Sequence, residues 1–235
     1  MRKIKSMIAL SILSLSIPAM AGGIVANGGN TLWCRPGKTI QNSGYYSLDF
    51  LSAIGRGMTP SQFVHVNNWK ESAARIRGLL AKSNLSMAKN FDVFVADTQS
   101  IFNQRLITDS YKWIPSHEKI TTLSYNGSTE DLPTECLLPA VIGLPSEVSF
   151  YQTVVRTKTP IQTEIYFKFD ELIFLNLSQN PLQLSMMLFH EWLWNFSHNI
   201  DTVMTVNQFM HTKTVDSFSE AEIENIFKDL KIARP

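Results

Sequence analysis

Residues 180–196 read NPLQLSMMLFHEWLWNF, and the reading of this stretch decides the fold. Asn180 suits a helix N-cap, Pro181 takes the favoured first helical position, and Gln183 stands at the capping-box position. From Leu182 to Phe196 apolar side chains occupy nearly every side of the predicted helix, which should run to about Ser197 and be buried all round. It is too short to span a bilayer, and it contains His190 and Glu191. A helix apolar on every side needs other elements packed around it. The rest of the chain must supply them.

Working outward, helices are expected over Ser47–Ile54, Trp69–Lys82, Ser86–Leu106 and Thr202–Met210. A last helix opens at Ser219 with Glu222 at capping-box spacing and carries an Ile223, Ile226, Phe227, Leu230 stripe. Thr31–Cys34 could begin a strand. The segments Ile120–Leu123, Cys136–Ile142, Ser149–Val155 and Thr163–Phe169 are short, β-branched or aromatic, and bounded by Pro, Gly and Asn. They predict a small antiparallel sheet of three or four strands, while Asp170–Leu177 is apolar and of open type. The class is α+β: N-terminal helices, the small sheet, the buried His-Glu helix and C-terminal helices, in one domain over 31–235.

The beginning of the chain reads differently. Arg2, Lys3 and Lys5 precede an apolar run from Met7 to Ile17, then Pro18-Ala19-Met20-Ala21. That is the order of a secretory signal peptide, expected to be cleaved after Ala21. Residues 22–30 hold four glycines and two asparagines and predict a flexible segment. Loss of the three basic residues leaves 18 basic against 20 acidic ones, turning the net charge of +1 into −2. Neither value suits nucleic acid, and no membrane span is expected after cleavage. With 44% hydrophobic and 17% charged residues, a disordered chain is excluded. Export implies a periplasmic or secreted protein. In such a compartment Cys34 and Cys136, the only cysteines, are expected to form a disulfide. Closing a loop of about 100 residues is worth about 4–5 kcal/mol in the chain-entropy model.

Chemistry concentrates on His190 and Glu191. The helical neighbours of Glu191 are Met187, Leu188 and Trp194, so burial without a partner is costly. One reading is a zinc site, with His190 as ligand and Glu191 as catalytic base or ligand. In HExxH peptidases a second His stands four residues on, and here that position is Trp194. His198 lies about two turns away, about 12 Å along a straight helix, so it, Asp201 or His211 could join only if the chain turns back. The other reading, favoured about two to one, has His190 and Glu191 hydrogen-bonded to the sheet, the next helix or Arg156, with His198 and His211 exposed. It requires no cofactor; zinc is the alternative. A Gly-x-Ser-x-Gly elbow is missing from the chain, and both cysteines are assigned to the disulfide.

Four features together resemble a family of exported bacterial proteins: the Gly-rich lead ending at Cys34, Ser-Leu-Asp-Phe-Leu at 47–51, Glu-Cys-Leu-Leu at 135–138 and Leu-Phe-His-Glu at 188–191. The resemblance implies a shared fold and export, and brings no activity, substrate or cofactor with it. The His-Glu helix also resembles a zincin helix with its second His lost, which implies a degenerate, inactive relative. The expected function is therefore binding of an unidentified protein or envelope partner, without catalysis; a zinc-dependent hydrolase is the alternative.

Overall fold

The computed structural model describes residues 29–102, 110–116, 122–123, 132–136, 150–158 and 164–233. The expected signal peptide and residues 22–28 lie outside them, as do 137–142 of one expected strand. Strands β1 (Asn30–Cys34) and β2 (Gly44–Ser47) pair antiparallel, from Thr31 opposite Ser47 to Cys34 opposite Gly44. Ser47 ends the strand and caps α1 (Leu48–Gly55), its Oγ accepting from the Phe50 amide at 3.3 Å. Asn68 caps α2 (Trp69–Ser83) in the same way, and α3 (Leu85–Phe102) follows after one residue.

Five strands come next: β3 (Tyr111–Ser116), β4 (Thr122–Leu123), β5 (Phe150–Gln152), β6 (Val154–Lys158) and β7 (Ile165–Asp170). Asp170 caps α4 (Glu171–Ser178), so the apolar stretch of open type is a two-turn helix. Then come α5 (Pro181–Leu193), α6 (Ile200–Met210) and α7 (Glu220–Asp229), the last opened by the Ser219–Glu222 capping box.

The class is α+β, but the strands form two sheets where one was expected. One is antiparallel throughout, in the order β2-β1-β5-β4. The other has the order β3-β7-β6, with β3 parallel to β7 and β6 antiparallel to it. Sequence reading passed over β3 because Pro115 interrupts it. As an edge strand, β3 tolerates a proline, and its alternation still buries Tyr111 and Trp113. The single strand expected over 149–155 is divided between the sheets at Thr153. That residue is fully buried: its amide donates to the Gly29 carbonyl at 2.8 Å, its carbonyl accepts from Asp170 N at 2.8 Å, and its hydroxyl meets that of Thr31. Thr153 thereby holds the two sheets and the start of the domain together.

Two apolar clusters fill the molecule. The smaller gathers Leu32, Ile40, Phe50, Leu51 and the Cys34–Cys136 disulfide, which forms as expected. The larger packs α2, α3, α6 and α7 against the second sheet, with Trp113 stacked on Phe167 at 4.5 Å and Phe91 edge-on to Trp192 at 4.9 Å. Helix α5 lies between them. Met186 belongs to the smaller cluster and Met187 to the larger, and every side chain from Gln183 to Leu193 is buried. The helix ends earlier than expected, at Trp194, because Asn195 and Phe196 turn back to carbonyls three residues before them. Among the described residues, no helix is long and apolar enough to cross a membrane.

Candidate functional site

His190 sits in the last turn of α5, and its partner comes from the far end of the chain. Ser47 starts α1 so that Asp49 occupies its first turn, and His190 Nδ1–H donates to Asp49 Oδ2 at 2.7 Å. Both side chains are almost fully buried. Asn207 on α6 fixes the carboxylate: its Nδ2 donates to Asp49 Oδ2 and, at 2.8 Å, to the Met186 carbonyl. Gln208 Nε2 donates to the Asp49 carbonyl at 2.7 Å and its Oε1 accepts from Arg56 at 3.0 Å. Gln183 of α5 accepts from Ser47 N and Oγ at 2.9 and 3.1 Å. Asp49, His190 and Asn207 thus tie α1, α5 and α6 together.

The charge state follows from these neighbours. Burial pushes the His190 imidazole towards its neutral form, and the Asp49 carboxylate and its hydrogen bond outweigh this, holding the pKa above its ordinary value. Glu191 is fully buried, and neither carboxylate oxygen has a hydrogen-bond partner among the described residues. Burial pushes its pKa up to about 7 against the pull of His190 and Arg156. Arg156 lies near enough to act on the carboxyl electrostatically, but its hydrogen bond goes elsewhere, to Asn195 Oδ1 at 2.7 Å. Arg156, one of the alternative hydrogen-bond partners expected for the pair, thus acts on Glu191 through charge alone. On its other side Glu191 meets the backbone of Gly29, where a Cβ would stand 2.9 Å from Oε1 and 2.8 Å from Val154 Cβ. With φ at +64° as well, that position admits glycine.

The remaining candidates are scattered. His198 is exposed, as expected, and Asp201 is exposed on α6. The expectation of an exposed His211 is overturned: it is fully buried at the end of α6, because α5 packs directly over it. Its Nδ1–H donates to the Asn207 carbonyl at 2.9 Å and its Nε2 meets Ser185 Oγ at 2.9 Å. Both ring nitrogens are engaged. Among the described residues, no three His, Cys, Asp or Glu side chains are placed to hold a metal ion, so His190, His198 and His211 do not assemble the predicted ligand set. Trp194, in the position of the missing second His, lies edge-on to the His190 ring at 6.0 Å.

An Asp-His pair with a free Nε2 could serve as a general base. The recess beside it, lined by Gly29, Ser47, Asp49, Met186, Met187 and His190 among others, is about 10 Å³, room for one water. Its one hydroxyl, Ser47 Oγ, is already engaged by Gln183 and Phe50 N. The partner that sequence reading missed is Asp49. Its signal was there: a lone carboxylate between Leu48 and Phe50, as anomalous in an apolar helix as Glu191. Compared with family models, curated proteins and solved structures, the chain matches none.

Proposed function

We propose that the chain is an exported, disulfide-bonded domain, periplasmic or secreted, that acts by binding and does no chemistry of its own. The observation that carries this reading is the sealing of its chemically able residues: His190, Glu191 and Asp49 are at most 5% exposed, beside a recess with room for one water. A substrate needs more space than that. The network instead joins three helices, as buried polar groups in a core commonly do. Export rests on the charged, apolar, small-residue order of residues 1–21, and the disulfide is compatible with it.

The zinc-hydrolase reading has one observation in its favour, the unpartnered His190 Nε2 and Glu191 carboxyl. Its third ligand would have to come from outside the described residues. The test is to express the full chain, recover it from the exported fraction, and measure its mass, metal content and melting with and without chelator. The expected result is a chain starting at Gly22, without stoichiometric metal and with unchanged melting in chelator. Near-stoichiometric zinc that is lost in His190→Ala overturns the non-catalytic reading; an uncleaved chain retained in the cytoplasm overturns export.

A further inference from the structure

A second cavity is far larger than the recess beside His190. It is an open cleft of about 740 Å³ between the 41–46 segment, residues 60–66 and the junction of α4 with α5. Its size is that of a ligand site. Five carboxamides line it, Gln41, Asn42, Asn176, Gln179 and Asn180, and among the described residues no carboxylate does. Tyr45 lines it too, and its ring continues outward to Trp33, which is 43% exposed and stands edge-to-face at 5.0 Å.

These features exclude several ligands in turn. Among the described residues Lys213 is the one Lys or Arg on the lining, and it spends one of its three N–H groups on the Ser61 carbonyl at 2.7 Å, so a polyanion finds a single cation there. An extended peptide would add to the β2 edge, but the outward amides of that strand are taken: Tyr45 N donates to Asn176 Oδ1 at 3.2 Å and Ser47 N to Gln183 Oε1. The carboxamide lining is too polar for a purely apolar molecule. What remains is a ligand rich in uncharged donors and acceptors with an apolar face. A carboxamide presents a donor and an acceptor side by side, suited to neighbouring hydroxyls, and an exposed indole offers a platform for the C–H face of a sugar ring.

We propose that this cleft binds a neutral oligosaccharide long enough to reach beyond its rim to Trp33, with that exposed indole as the stacking platform and the Gln41, Asn42 and Gln179 carboxamides as hydroxyl partners. The inference rests on the reading of the protein as a binding domain and names its ligand class. It is tested by titrating the exported full-length product with chitohexaose, cellohexaose and maltohexaose, followed by tryptophan fluorescence and calorimetry. At least one should bind with a Kd below millimolar. Trp33→Ala should weaken that binding about tenfold, with a small loss of melting temperature from its contact with Tyr45, and Gln179→Ala by a smaller factor without change in melting, since that side chain is exposed. Metal-free protein that binds none of the three overturns the inference and leaves the non-catalytic reading standing, as does binding indifferent to both variants or a preference for heparin or polyglutamate. Zinc-dependent cleavage of a bound sugar does the reverse, supporting the cleft as a sugar site and overturning the non-catalytic reading.

Discussion

His190 and His211 are both sealed in the core, on neighbouring helices, and burial pushes both imidazoles towards the neutral form. They end on opposite sides of the ordinary histidine value. His190 finishes above it because Asp49 Oδ2 lies 2.7 Å from Nδ1. His211 falls to about 4: burial dominates, Arg75 adds to the fall, and the Asn207 carbonyl opposes it too weakly. Asn207 serves both sites, its side chain bracing Asp49 and its carbonyl receiving His211. In this core the partner decides the charge. Asp49 biases one histidine towards its cation, and burial biases the other towards the neutral ring.

The sharpest way to break the comparison is to remove the anion. Asp49→Asn keeps the shape and takes away the charge beneath His190. Removing one partner of a buried ion pair costs about 3–5 kcal/mol, here as the lost Asp49 contacts and the proton that the isolated His190 ring gives up at neutral pH, read by denaturant unfolding. The His190 imidazole, followed by NMR, should then titrate below its ordinary value as His211 does. If it still titrates above that value, Asp49 is not what distinguishes the two rings.

Next in size is the pH dependence, in which two buried groups oppose each other over nearly the same range. The Glu191 carboxyl has a folded pKa of about 7 against 4.5 for the free group, so the native state binds the extra proton between those values. Stability therefore falls as pH rises from 4.5 to 7, by about 3 kcal/mol at about 1.4 kcal/mol per unit. His211 works the other way. With a folded pKa of about 4 against 6.5, it contributes stability above 6.5 that is lost as pH falls towards 4, also by about 3 kcal/mol. His190, raised by Asp49, adds to the loss on the alkaline side. The two windows overlap between pH 4.5 and 6.5 and nearly cancel there, so Glu191→Gln should unmask a rise in stability from pH 4 to 6.5, and His211→Gln a fall from pH 4.5 to 7. Unfolding free energies measured from pH 4 to 8 check both, and a Glu191→Gln profile identical to that of the parent would show that this carboxyl is not held protonated.

Much of this arrangement was legible in the sequence, for a physical reason. Helix α5 announces itself because apolar residues on every side leave a helix nowhere to lie except inside, and Ser219 with Glu222 marks α7 through local capping that needs no tertiary contact. The conflict at Glu191 was legible too, since a lone carboxylate among Met187, Leu188 and Trp194 contradicts its surroundings. Its resolution was not. Asp49 is 141 positions from His190, and nothing periodic connects them. Strand β3 was hidden by Pro115, which only its edge position makes acceptable. His211 looked like a loop histidine because its burial comes from α5 packing over the end of α6, a tertiary fact with no local signature.

The smallest expected effect probes the neutral side of the comparison. His211 Nδ1–H donates to the Asn207 carbonyl, and Nε2 stands 2.9 Å from Ser185 Oγ. Ser185 Oγ in turn donates to the Ser72 hydroxyl on α2 at 2.6 Å, so the chain runs from α6 through α5 to α2. Ser185→Ala removes the middle of it, at a cost of about 1–2 kcal/mol. The His211 titration should move with it, since Ser185 Oγ stands within hydrogen-bond reach of Nε2. The His190 titration should stay where it is, since its charge depends on Asp49 and not on this chain. Were both rings to shift together in Ser185→Ala, Asn207 would couple the two sites through its shared contacts, and they would have to be treated as one network.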